Sequence, residues 1–210
     1  MIARVRHLAW RALRMEIGVW RSVWRFASRR GIAPAGADRF SNDKPVRPIL
    51  LAFLAVSAIE VPVVDLLVHP WPWVRIPLLI LGIWGVTFMV GMLLGGVTRP
   101  HTVGPEGLRV RHGDEFEVVL PWALVASVAR HRGPRQDKTF TLEARMLTVV
   151  VQDGTAIEVE TEEPVAVRLP NGGRGEVDRL RFHVDDVDGY LAAVRRHMRA
   201  WEESRSRFAE

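Results

Sequence analysis

Two apolar runs, residues 49–68 and 76–97, set the limits on what this chain of 210 residues folds into. At about 1.5 Å per helical residue, twenty residues cross a hydrocarbon core of about 30 Å. The residues between the runs, His69-Pro70-Trp71-Pro72-Trp73-Val74-Arg75, are too few to form a domain. The expectation is a transmembrane hairpin of two helices over 49–68 and 76–97. Both flanking segments, 1–48 and 98–210, then lie on one side of one membrane.

Charge predicts which side. Residues 1–48 carry eleven Lys/Arg against three acids, whereas residues 99–210 carry seventeen against nineteen. Basic residues close to a first span are retained in the cytoplasm, and the turn holds only Arg75, so both termini are expected there. Trp71 and Trp73 suit the opposite headgroup layer. A basic arm joined to an acidic domain is not the profile of a nucleic-acid-binding domain, and no nucleic-acid partner is expected. No apolar segment of signal-peptide type precedes residue 49, and the absence of Cys fits a reducing compartment.

The spans are unequal. The first holds thirteen Ile, Leu, Phe and Val, each favouring insertion by about 0.3–0.6 kcal/mol, against about 3 kcal/mol opposing it at Glu60 near the middle. Asp65 lies near the outer end, and the second run has no charge at all. The intramembrane acids Glu60 and Asp65 have two readings. They could relay protons or bind a cation within an oligomer, as in a transport or ion-handling component. The preferred reading is structural, with Glu60 neutral or bonded to the second helix and Asp65 at the interface. Gly91 and Gly95 form a small-xxx-small pair for close helix packing, either on the first span or in a homodimer.

Residues 1–30 read as an amphipathic interfacial helix. Trp10, Leu13, Ile17, Trp20 and Trp24 form one stripe at intervals of three and four. Arg11, Arg14, Arg21 and Arg25 lie beside it, about 100° round the helix. Indoles buried in the inner headgroup layer and guanidiniums on lipid phosphates would make this arm a sensor of anionic lipid. Residues 31–48 then read as a linker.

Beyond residue 98 the period becomes two. Strands are expected at Leu108–His112, at 116–120, at 127–132, at 140–151 with an irregularity near Ala144, at 157–160, at 165–169 and at 180–184. Asp153-Gly154 and Asn171-Gly172-Gly173 are turn signals. A helix follows, capped by Asp185 or Asp186, with Val187, Leu191, Val194, Met198 and Trp201 on one face.

The stretch Thr102-Val103-Gly104-Pro105-Glu106-Gly107-Leu108-Arg109-Val110-Arg111, the strand Val118-Val119-Leu120-Pro121-Trp122 and the following Val125 and Val128 resemble the start of bacterial pleckstrin-homology-like (PH-like) domains. Such domains commonly follow a pair of spans. The resemblance implies a membrane-anchored α+β protein: a two-helix transmembrane hairpin, then a seven-stranded PH-like sandwich or barrel over 98–210 with a C-terminal capping helix. It places the protein in a bacterial inner membrane as a multi-pass protein. Of the basic pattern by which some PH domains hold phosphoinositides, only Arg109 and Arg111 match, beside Asp114, Glu115 and Glu117, so the lipid site is not carried over.

No metal-ligand spacing, P-loop, dinucleotide fingerprint or nucleophile elbow occurs. The acids Asp185, Asp186 and Asp188 sit where a helix start favours them. The chain therefore reads as a non-catalytic interaction module without catalytic, cofactor-binding or metal-binding residues. Its expected partners are the bilayer and a protein or peptide. If the arm senses lipid, a peptide of residues 1–30 will bind vesicles only when they contain anionic lipid, and binding will weaken with salt. Salt-independent or absent binding in a sedimentation assay contradicts that role.

Overall fold

The computed structural model describes residues 17, 18, 20, 24, 33–113, 116–133, 138–151, 154–170 and 172–207. The chain forms two compact units, one of residues 1–30 and 46–98, the other of residues 31–45 and 99–210.

The first unit contains the helical hairpin. Helix α1 runs Arg47–Leu67 and α2 runs Pro72–Thr98. Both are long and apolar enough to cross a membrane. None of α1 is buried, and Phe53, Ile59, Leu66, Ile80 and Leu81 all expose most of their side chains. A helix of that composition in a soluble core would hide those groups, so their exposure supports apolar surroundings. Pro72 opens α2, where its missing N–H costs no helical bond, and the turn closes through Trp71 N–H donating to the Val68 carbonyl at 2.9 Å. The helices approach closely where Gly82 meets Val61: an added Cβ would lie 2.6 Å from a Val61 methyl.

The second unit is built from nine strands among the described residues, where seven were expected. Strands β1 (Asp38–Phe40), β2 (His101–Gly104), β3 (Gly107–His112) and β4 (Phe116–Pro121) form an antiparallel sheet in that order. A second sheet has the order β5-β8-β9-β7-β6, from β5 (Val125–Arg130), β6 (Phe140–Glu143), β7 (Met146–Val149), β8 (Ile157–Arg168) and β9 (Arg174–Phe182). Helix α3 (Val187–Arg207) packs against β2 of one sheet and β5 of the other. It covers a core that includes Leu108, Val110, Leu120, Trp122, Leu147, Ile157, Leu180 and Phe182. Trp122 lies in the 3-10 turn linking the sheets, and its indole N–H donates to the Gly104 carbonyl at 3.0 Å. A buried indole thus has the partner that burial demands.

Several expectations are corrected. The linker 31–48 contains β1, which pairs Asp38 with Val103 and Phe40 with His101. The run 140–151 is two strands turning at Ala144 (φ 46°) and Arg145 (φ 62°). The strands foreseen at 157–160 and 165–169 are one strand, β8, with a register shift between Glu160 and Val165. Strand β9 lies between β8 and β7 and runs parallel to β7, so the Asp153-Gly154 signal joins no hairpin of β7 and β8. Gly154 instead exchanges two backbone hydrogen bonds with Val151.

The turn at Ala144-Arg145 holds two non-glycine residues at positive φ, as a two-residue I′ hairpin requires. Ala144→Asn with Arg145→Gly suits that backbone and should raise stability by about 1–2 kcal/mol. Denaturant unfolding of the detergent-solubilised chain measures it. An unchanged or lower midpoint contradicts the turn geometry.

Candidate functional site

The most developed polar cluster of the β unit fastens the segment before the hairpin onto the domain after it. Asp38 of β1 accepts hydrogen bonds from two residues of α3, His197 Nε2 at 2.9 Å and the Arg196 guanidinium. Burial works to raise the Asp38 carboxyl, but the bonds from His197 and Arg196 outweigh it and hold the group below its usual range. The Ser41 carbonyl accepts from Asp185 N–H at 3.0 Å, and Lys44 N–H donates to the Asp185 carboxylate at 3.2 Å. Phe40 meets Tyr190 edge to face, with ring centroids 5.1 Å apart.

His101 sits at the centre, buried at the first residue of β2. The Arg111 N–H donates to its Nδ1 at 3.1 Å, which leaves Nε2 to carry the proton and donate to the His183 carbonyl at 3.0 Å. Asn42 lies 3.2 Å from the same Nε2 and donates to the Arg111 carbonyl. Burial pushes the imidazole down to about 4; the His183 carbonyl opposes this, as does Asp185, while His112 and His183 add to it.

Other polar groups are committed to local pairs. Arg109 and Arg111 both reach Glu117, at 3.3 and 3.2 Å, so the two basic residues matching a phosphoinositide pattern are occupied. Asp186 caps α3 by accepting from Gly189 N–H at 2.9 Å, a Cβ at Gly189 would collide with that carboxylate, and Asp188 pairs with Arg130. Asp185 also faces His183 Nε2 at 3.3 Å. The three acids at the helix start therefore face different partners and share none. Glu158 accepts from Arg181 and lies 3.4 Å from His131, whose pKa is lowered by burial and by the Arg181 charge against the pull of Glu158. Among the described residues no group of His, Cys, Asp and Glu is arranged to hold a metal.

In the hairpin, Asp65 and Arg75 form a two-bond fork across the turn, at 2.7 and 2.9 Å. The single cation between the runs thus answers the outer acid, a pairing that sequence reasoning missed although both charges lay in plain sight. Glu60 is not drawn into it and stands exposed on α1. Gly91 is buried and Gly95 half-buried, Gly82 packs on Val61 of α1, and Gly85 faces open space. Of the arm, Trp20 and Trp24 are helical and exposed. Trp10, Arg11, Arg14, Arg21 and Arg25 lie outside the described residues. Comparison with protein-family models, curated proteins and solved structures finds no match.

The His101 network makes the fold acid-sensitive. The unfolded chain protonates this ring near its ordinary 6.5, and the folded chain only near about 4. The unfolded state therefore binds more protons in that window, and stability falls as pH drops through it, by about 3 kcal/mol in all. His101→Gln should flatten the unfolding midpoint between those pH values. An unaltered slope contradicts the assignment.

Proposed function

We propose that this protein is a non-catalytic interaction module held at the cytoplasmic face of a bacterial inner membrane, with both termini in the cytoplasm. One observation carries the reading. The hairpin is inserted between β1 and β2, adjacent antiparallel strands of one sheet. Paired strands must share a compartment, so a chain that leaves β1, enters a bilayer and returns to β2 has to cross it twice. The domain is thereby tied to the membrane through both ends of the hairpin, which raises its local concentration and lets a weak intrinsic affinity suffice.

A PH-like assignment of the domain belongs to this proposal. It is supported by two packed sheets with a C-terminal helix on the core, over a span that covers the residues carrying the resemblance. The surface we assign to a partner is the outer face of α3 that carries Arg195, Arg196, Arg199 and Glu203 with Ala192 and Ala200. Arg196 is engaged with Asp38, while Arg195 and Arg199 are exposed. Guanidiniums flanking small residues suit an acidic peptide segment. The transport reading loses one of its two acids, because Asp65 is neutralised by Arg75.

Crosslinking and affinity capture in native membranes tests this. The full chain should retain a partner that is lost both on truncation after Arg99 and in Arg195→Glu/Arg199→Glu. Capture of the same partner by the truncated chain would move recognition to the helices or the arm.

A further inference from the structure

Glu60 is the one Asp or Glu of α1 that no basic side chain of the hairpin answers. It lies fourteen residues into a helix that begins at Arg47, near the middle of the span. Among the described residues it has no hydrogen-bond or ion-pair partner. Facing acyl chains, such a carboxyl opposes insertion by about 3 kcal/mol, and intramembrane acids accordingly face protein or water.

The residues around it form a pattern. Ile49, Phe53, Val56, Glu60, Val63 and Leu67 recur at intervals of four, three, four, three and four. That is the a/d spacing of a left-handed helix pair, in which a single polar residue within an apolar seam fixes register and partner number. All six are exposed, the apolar five at 48–69 %. The second helix leaves this seam uncovered, and its Gly82 packs on Val61, which lies outside the seam. Its hydroxyl at Thr87 is already bonded to the Ile83 carbonyl at 2.8 Å.

We infer that α1 pairs in parallel with α1 of a second copy through this seam, with the two Glu60 side chains meeting at its centre. The inference rests on the membrane reading of the hairpin. A second copy is the occupant that meets the depth requirement by symmetry. A two-fold axis along the membrane normal places each Glu60 opposite its equivalent at the same depth. It also brings the Ser57 hydroxyl, one helical turn away, within reach as a donor. Apolar side chains alone give no drive in lipid, because acyl chains are equally apolar, so the polar centre is what selects this face.

The absence of Cys makes the test clean. Single-Cys variants of the full chain are oxidised in carbonate-washed membranes. Phe53→Cys and Val56→Cys should give disulfide-linked dimers, and Leu51→Cys, on the opposite side of α1, should not. Glu60→Leu in the Val56→Cys background should cut the dimer fraction at least fivefold, while Glu60→Gln, which still hydrogen-bonds, should retain most of it. Loss of the chain from the washed pellet overturns the membrane reading and the dimer with it. A chain in the pellet with no dimer, with equal linkage at Leu51→Cys, with linkage to another protein only, or with a dimer fraction indifferent to Glu60→Leu, overturns the dimer alone.

Discussion

Strand β1 is three residues long, and its pairing with β2 is the constraint on which the architecture depends. Asp-Arg-Phe has no strength as an isolated strand; its order comes from the ladder to His101–Gly104 and from the α3 side chains that grip Asp38. Because the apolar hairpin is spliced between these two strands, pairing them closes a loop of sixty residues with both ends held in one sheet. Closure of so long a loop costs only slightly more than closure of a short one, and the hairpin organises most of it locally. On the proposed membrane reading, insertion of the hairpin and folding of the β unit would be coupled, because neither helix could reverse its direction without taking β1 from its sheet.

The His101 site shows how that closure is secured chemically. A buried imidazole bonds to the backbone of β3 through Arg111 and to the chain entering α3 through the His183 carbonyl, with Asn42 from beyond β1 against the same ring. Three distant segments meet on one neutral side chain. Such a junction is specific because every ring nitrogen has a required partner, and it is vulnerable to acid for the same reason.

The hairpin was legible in the sequence because a twenty-residue apolar run has few alternatives, and α3 because its apolar stripe ends at an acidic cap. Strands β3 and β4 alternate cleanly for the same kind of reason. Strand β1 was not legible, since Asp38–Phe40 lies among Pro, Gly and Asp and gains its conformation only from a partner sixty residues away. The turn at Ala144-Arg145 showed only as an irregularity near Ala144, because it lacks the Gly or Asn that ordinarily supplies positive φ. The parallel β7–β9 pair leaves no local signal, because it depends on which strands meet and not on any one strand's pattern. Tyr190 and Ala193 complete the buried face of α3 beside Val194, whereas the stripe read from sequence lies partly at its edge.

On the proposed reading, the chain crosses a bilayer twice between two strands of one sheet. Labelling single-Cys variants with a membrane-impermeant maleimide, in intact spheroplasts and in inverted vesicles, tests it most directly. Trp71→Cys should react only from the outer face, and Ser41→Cys and Ser204→Cys only from the cytoplasmic face. Labelling of Ser41→Cys and Ser204→Cys from opposite faces, or of all three from the same face, would contradict it.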